Sequence, residues 1–297
     1  ISSPHPFANS TTSMKARKKI LSLVPPADRR FRKNRPDFTS EEGIARRVAE
    51  NRGQGTGPTY KTWLRVPEFG SSGYRRMIWS PRLGRIVHLL SELEWEVFLF
   101  AESNPNYIDI RENYPLSRDT TRKIAEALKV RHPSPFGTDI VMTTDLFITE
   151  VTPAGQRNIA WSIKYEKALK DPRVLEKIAI EEKYYQSLDT PAVFRVMTEH
   201  SLPSVMIENL KFVRGTLHPG AMDGYSDRLI NDIDALLRPL LATGPLGALC
   251  EAGDGQMRLE PGSSLRVVRY LIASRRWPAD LYVPITLNCP LALEVSK

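Results

Sequence analysis

Cysteine is nearly absent from this 297-residue chain, with Cys250 and Cys289 as its whole complement. Two thiols are too few for a disulfide framework or a four-thiolate zinc site. Histidine is sparse as well, and His5, His88, His132, His200 and His218 are widely scattered. Zinc is therefore not expected, and a hard cation held by carboxylates is the better fit to the composition. Long apolar runs are also missing. No stretch of about 18 uncharged apolar residues offers a membrane span, and no apolar block ending in a small-residue cleavage site opens the chain. These absences predict a cytosolic protein.

What is present is globular: 41% hydrophobic and 26% charged residues, over a length that suggests two domains. The net charge of +8 is concentrated at one end. Residues 1–40 carry nine Lys or Arg against Asp28 and Asp37, a surplus of seven. This Pro-, Ser- and Arg-rich tail, taken as residues 1–38, is expected to be disordered alone and suited to polyphosphate contact. A merely solubilising tail is the competing reading.

Regular structure is predicted to begin at the T-x-x-E capping box Thr39-Ser40-Glu41-Glu42, ahead of a helical run from Ile44 to Ala49. Asn51 to Gly57 breaks it with three glycines. No strand precedes them and no Gly-Lys-Ser/Thr follows, so a flexible basic hinge fits better than a phosphate loop. Met77-Ile78-Trp79 and Ile86-Val87-His88 flank the turn Ser80 to Gly84, which predicts a hairpin leading into a helix from Ser91 to about Glu102. Strands follow at Tyr107–Tyr114, Val141–Ile148 and Asn158–Lys164. Asp171-Pro172 opens a helix to about Leu188, and Ala192–Thr198 is a further strand. Residues 39–200 thus predict a mixed α/β domain. Residues 201–297 predict a compact helical domain, with helices at Ser226–Leu241 and Gly262–Arg275, a Gly-rich loop through Gly255, and a small β ribbon from Leu281 to Leu293.

Four polar residues stand where the local pattern asks for something else. Asp145 interrupts the strand Val141–Ile148, where a carboxylate must be desolvated unless a cation sits beside it. Lys164 ends the strand Ile159–Lys164, with Ser162 on its face and Ile163 pointing inward. An ammonium there could hold or help deprotonate a water; a snorkelling strand-end lysine is the plainer explanation. Glu94 completes a second capping box, Ser91-Glu92-Leu93-Glu94, which accounts for it structurally. Glu181 falls in the apolar stripe Val174, Ile178, Tyr185, and a carboxylate on the buried side needs a cation or a partner. Jointly, a helix carboxylate, a strand aspartate and a strand lysine about twenty residues later form the set used by metal-dependent phosphodiesterases.

The chain resembles the TnsA endonuclease subunit of heteromeric bacterial transposases, in which the catalytic domain has the restriction-endonuclease-like PD-(D/E)-x-K fold. The resemblance is carried by Ile44-Ala45-Arg46-Arg47 with Arg52-Gly53-Gln54-Gly55, then Ser71-Ser72-Gly73, Gly84 through Ser91, Asp109-Ile110-Arg111-Glu112, Thr144-Asp145 and Leu175-Glu176-Lys177. It is dense over residues 39–200. It implies that Glu94 and Asp145 bind metal, that Lys164 is the catalytic lysine, that Glu181 assists the metal site and that the Ile163 carbonyl is a ligand. Ser162 stands where related nucleases carry Gln, Asp or Glu, and a short neutral hydroxyl gives little to Mg²⁺ unless water bridges it. The resemblance further implies Mg²⁺ as cofactor, with Mn²⁺ able to substitute, and hydrolysis of the 5′-side strands of double-stranded DNA at transposon ends. It implies a DDE-type transposase partner, TnsB, an ATP-binding regulator, TnsC, a C-terminal winged-helix-like module, and work on the bacterial nucleoid. The residues by themselves leave two alternatives: a nuclease that acts alone, and a non-catalytic DNA-binding protein whose acidic residues are only caps. Target choice, by a DNA-binding selector or an RNA-guided complex, would reside in other subunits.

Overall fold

The computed structural model describes residues 36–69, 74–190 and 192–294. Most of the basic tail, residues 1–35, and the Ser71-Ser72-Gly73 motif lie outside the described residues. The chain groups into two compact units, the first holding residues up to Arg76, His88–Ser91 and Asn106–Met197, the second Met77–Val87, Glu92–Pro105 and Thr198 onward.

In the first unit, helix α1 (Glu41–Ala49) starts one residue later than the T-x-x-E pattern suggested, because Ser40 is the N-cap and accepts from the Gly43 amide. Thr39 instead donates to the Pro36 carbonyl. Gly43 is dictated by close approach, since a Cβ there would lie 1.8 Å from the Asp37 carbonyl oxygen. The expected flexible hinge after α1 is corrected by its packing. Arg52 is buried and donates to Glu50 at 2.7 Å, to Glu68 at 2.6 Å and to the Trp63 carbonyl. Arg47, fully buried, donates to Asp37 at 2.7 Å and its Nη2 lies 3.1 Å from Glu68 without hydrogen-bond alignment. Buried cations need such partners, so these arginines are consumed inside the fold.

Strands β3 (Tyr107–Pro115), β4 (Thr143–Thr152), β5 (Gly155–Ile163) and β6 (Val193–Met197) form one sheet in that order, antiparallel except for the parallel β5–β6 pair. The ribbon strands β1 (Arg76–Ser80) and β2 (Arg85–Leu89) precede them as the hairpin expected, with Gly84 donating back to the Ser80 carbonyl. A parallel pair needs a crossover, supplied by helix α4 (Pro172–Gln186), capped by Asp171 with Pro172 in its first turn. Helix α3 (Arg118–Ala127) was not foreseen; its inward stripe, Thr121, Ile124 and Ala125 running on to Leu128, is short and made largely of small or polar side chains. Leu116, Ala125, Met142, Phe147, Ala160, Ile180, Tyr184 and Tyr185 make the core between helices and sheet.

The second unit contains helix α2 (Glu92–Ser103), which begins directly after Ser91, and helices α5 (Ser204–Arg214), α6 (Asp227–Leu237), α7 (Leu246–Met257) and α8 (Ser263–Ala273). Ion pairs Lys211–Glu96 at 2.7 Å and Arg214–Glu102 at 3.2 Å tie α5 to α2. The Gly-rich loop expected through Gly255 is in fact α7. Its glycines permit close helix contact: a Cβ on Gly253 would meet Ser264 Oγ at 3.1 Å and Leu237 Cδ2 at 3.3 Å. Buried Asp254 accepts from the Gly262 and Ser264 amides at 2.7 Å and so caps α8. The ribbon expected at Leu281–Leu293 reduces, among the described residues, to one bridge between Ala279 and Leu293. Pro284 and Pro290 remove amide donors from that stretch. Asn209 holds it instead, donating to the Leu281 and Val283 carbonyls and accepting from Ile285 N. Among the described residues no helix is long and apolar enough to cross a membrane.

Candidate active site

The pairing of β4 with β5 ends at Leu146 and Trp161. Beyond that pair the ladder gives way to a side chain. Asp145 Oδ2 accepts from the Ile163 amide at 2.5 Å, taking the place of a backbone acceptor. The same oxygen accepts from Lys164 Nζ at 2.6 Å, and Nζ also donates to the Ile163 carbonyl at 2.9 Å. Lys164 in turn is fixed through its own amide to the Met197 carbonyl of β6. Asp145 and Lys164 are both partly exposed, as reacting groups at the rim of a sheet must be.

Glu181 approaches from α4. It is buried, and its Oε1 accepts from Thr144 Oγ1 at 2.6 Å. Burial pushes its carboxyl up to about 7, the Asp145 charge adds to the rise, and Lys164, Thr144 and Ser162 oppose it. Two carboxylates that feel each other, with one ammonium near them, leave unbalanced negative charge, the condition that a bound cation relieves. Ser162 is buried, near enough to Glu181 to favour its charged form, yet its hydroxyl makes no well-aligned hydrogen bond.

Asp145, Ser162, Ile163, Lys164 and Glu181 are therefore brought together in the first unit. Glu94 lies in the first turn of α2, which groups with the second unit, and it is buried. No group of three or more His, Cys, Asp or Glu side chains is arranged for a metal among the described residues. The donors gathered around Asp145 are carboxylate and carbonyl oxygens, a set suited to a hard cation and unsuited to zinc. Two residues escaped the sequence reading. Thr144 adjoins Asp145 in the chain, and Tyr185, one helical turn beyond Glu181, donates to Thr144 Oγ1 at 2.7 Å. Their signals were the Thr144-Asp145 motif and the place of Tyr185 on the stripe with Glu181, neither of which gives them a role.

Comparison with known proteins extends the geometry. Residues 104–199 match the family described as TnsA-like endonuclease N terminal, and residues 202–281 the family described as TnsA endonuclease C terminal. A curated relative, the transposon Tn7 transposition protein TnsA of Escherichia coli, is 36% identical over 260 residues, covering 87% of this chain and 93% of that protein. The chain belongs to the TnsA endonuclease family. As a TnsA-family endonuclease it hydrolyses DNA, and the first match takes in Asp145, Ile163, Lys164 and Glu181. The second begins just after β6 and runs through the helices from α5 to α8.

Proposed function

We propose that this chain is the nuclease subunit of a heteromeric transposase and hydrolyses the 5′-side strands at transposon ends during cut-and-paste transposition. The observation that carries the reading is the Asp145–Lys164 contact at the splayed end of β4 and β5, with the Ile163 carbonyl and Glu181 beside it. A restriction-endonuclease-like PD-(D/E)-x-K fold for residues 39–200, and a winged-helix-like fold for residues 201–297, belong to the same proposal.

In this reading Asp145, the Ile163 carbonyl, Glu181 and, from the sequence pattern, Glu94 hold Mg²⁺, with Mn²⁺ able to replace it and Ser162 contributing at most through water. The bound cation supplies a Lewis acid for the phosphoryl oxygens and lowers the pKa of a coordinated water. The chain's own part is positional. Asp145 orients Lys164 while leaving Oδ1 uncommitted, and the Lys164 ammonium is placed to orient an attacking water and to offset charge developing on the phosphate. The Ile163 amide, bonded to Asp145, keeps the two strands from zipping past the site.

The reading further assigns a DDE-type TnsB transposase to the 3′ ends and a TnsC-type ATPase to regulation, with activity on the bacterial nucleoid. It is tested by end cleavage with the partner proteins and Mg²⁺. Asp145→Ala is expected to leave the 5′ strands uncut while 3′ processing continues. Normal 5′ cutting by that variant would overturn the assignment.

A further inference from the structure

Behind the carboxylates runs a line of buried hydroxyls. Tyr185 OH donates to Thr144 Oγ1 at 2.7 Å, and Thr144 Oγ1 donates to Glu181 Oε1 at 2.6 Å. Tyr185 and Thr144 have no exposed surface. The direction of both bonds follows from proton counting. In its ionised form, the one that can bind a cation, Glu181 only accepts, so the single Thr144 proton goes to it, and Thr144 is left to accept from Tyr185. The Tyr185 ring has little room to turn, stacked between Phe147 at 5.7 Å and Phe194 at 6.1 Å and meeting Tyr184 edge-on at 5.4 Å. A rigid ring on α4 thus fixes a hydroxyl on β4, which fixes a carboxylate back on α4, beside Asp145.

We propose that Thr144 and Tyr185 are positioning residues of the nuclease site, holding Glu181 by Oε1 so that Oε2 remains available to a divalent cation. The inference rests on the metal-dependent nuclease reading above. Nothing in the core demands it: a valine at 144 and a phenylalanine at 185 would fill the same space without burying hydroxyls, each of which costs free energy unless bonded. Groups that orient a metal ligand are worth about 10- to 100-fold in affinity.

The test uses the full chain. Mn²⁺ binding is followed by electron paramagnetic resonance, and Mg²⁺ half-saturation of 5′-strand cleavage is measured with the partner proteins. Thr144→Val is expected to weaken Mn²⁺ binding by about 10-fold or more and to raise the Mg²⁺ half-saturation in parallel. Thr144→Ser, which keeps the hydroxyl, is expected to restore both, and Tyr185→Phe to give a smaller loss in the same direction. Thermal unfolding separates this from a packing effect, because a structural role would lower the melting temperature and leave the metal dependence alone. Unchanged metal dependence in Thr144→Val and Tyr185→Phe, with Asp145→Ala still defective, overturns the relay and leaves the nuclease reading standing. If Asp145→Ala also binds Mn²⁺ and cuts normally, the nuclease site itself is misplaced and the relay falls with it. Should Thr144→Val fail to fold, Tyr185→Phe decides.

Discussion

Lys164 and Asp145 stand 19 residues apart in the chain and meet at 2.6 Å. The contact closes where the β4–β5 ladder ends, so one carboxylate oxygen serves both the Ile163 amide and the ammonium. Asp145→Asn keeps an acceptor oxygen for that amide but loses the charge. Its fold is expected to survive, with thermal unfolding close to wild type, while 5′-strand cleavage falls by at least about 100-fold. Lys164→Ala is expected to lose cleavage to a similar degree without unfolding the sheet. A cleavage rate within a factor of two of wild type for either variant would remove that residue from the chemistry.

Glu68 joins the two arginines that flank the end of α1, bonding Arg52 at 2.6 Å and lying 3.1 Å from Arg47. Losing Glu68 leaves Arg52 with Glu50 and the Trp63 carbonyl and Arg47 with Asp37, so their burial is less fully offset, at a cost of up to about 3 kcal/mol. Glu68→Gln should therefore lower the unfolding free energy of the first unit by up to that amount, read by urea titration. A change below about 0.5 kcal/mol would mean that the arginines are solvated rather than consumed in the fold.

Residues 36–38, the end of the expected tail, are already in use. Asp37 accepts from Arg47 and pairs with Arg46. A truncation should accordingly stop at residue 35, which removes all nine tail cations and spares Asp37. Cleavage chemistry is expected to persist, while DNA or complex affinity weakens and its salt dependence flattens by about 0.9 in log–log slope per lost phosphate contact. Identical affinity and slope in the truncated protein would make the tail a bystander.

Ser162→Ala tests the one departure from the wider nuclease pattern. The hydroxyl is buried and makes no well-aligned hydrogen bond, so its removal should cost little stability, and a short neutral group contributes little to a hard cation. At most a mild loss of cleavage is expected across a Mg²⁺ titration in the presence of the transposon ends and partner proteins. Inactivity equal to that of Asp145→Ala at every Mg²⁺ concentration would make the hydroxyl an essential ligand.

The sheet was legible because its strands are short runs rich in β-branched and aromatic residues, and Asp145 and Lys164 stood out as charges within or at the end of such runs. Glu181 was legible as a charge on an apolar stripe. Other features hid for physical reasons. Helix α3 has a short inward stripe, largely of small or polar side chains, and α7 uses glycine for close packing, which on paper reads as a loop. Arg52 read as part of a basic hinge because its acids, Glu50 at the end of α1 and Glu68 in a short 3-10 turn, approach it in a way no periodicity encodes. The Tyr185–Thr144 bond hid because both residues are ordinary for a helix and a strand.

His132 offers a pH test of the first unit. It is buried, its Nε2 lies 3.0 Å from Thr121 Oγ1, and its Nδ1 has no hydrogen bond and stands 3.7 Å from Asp139. Thr121 Oγ1 also lies within hydrogen-bond reach of the Ser117 and Arg118 carbonyls, so the ring's polar edge is held inside the fold. Burial depresses the imidazole below its ordinary 6.5; Asp139 and the Pro133 backbone pull the other way, and Arg122 and Arg118 reinforce the depression. A folded-state pKa below the unfolded one means that the unfolded chain takes up the proton first as pH falls. The contribution of His132 to stability is therefore constant above the unfolded value near 6.5 and is lost as pH drops through the folded value, with a slope of at most about 1.4 kcal/mol per pH unit. His132→Gln, which cannot titrate, should flatten unfolding free energy against pH below about 6.5. Parallel curves for the two proteins over that window would show that the ring takes up its proton as readily in the folded chain as in the unfolded one.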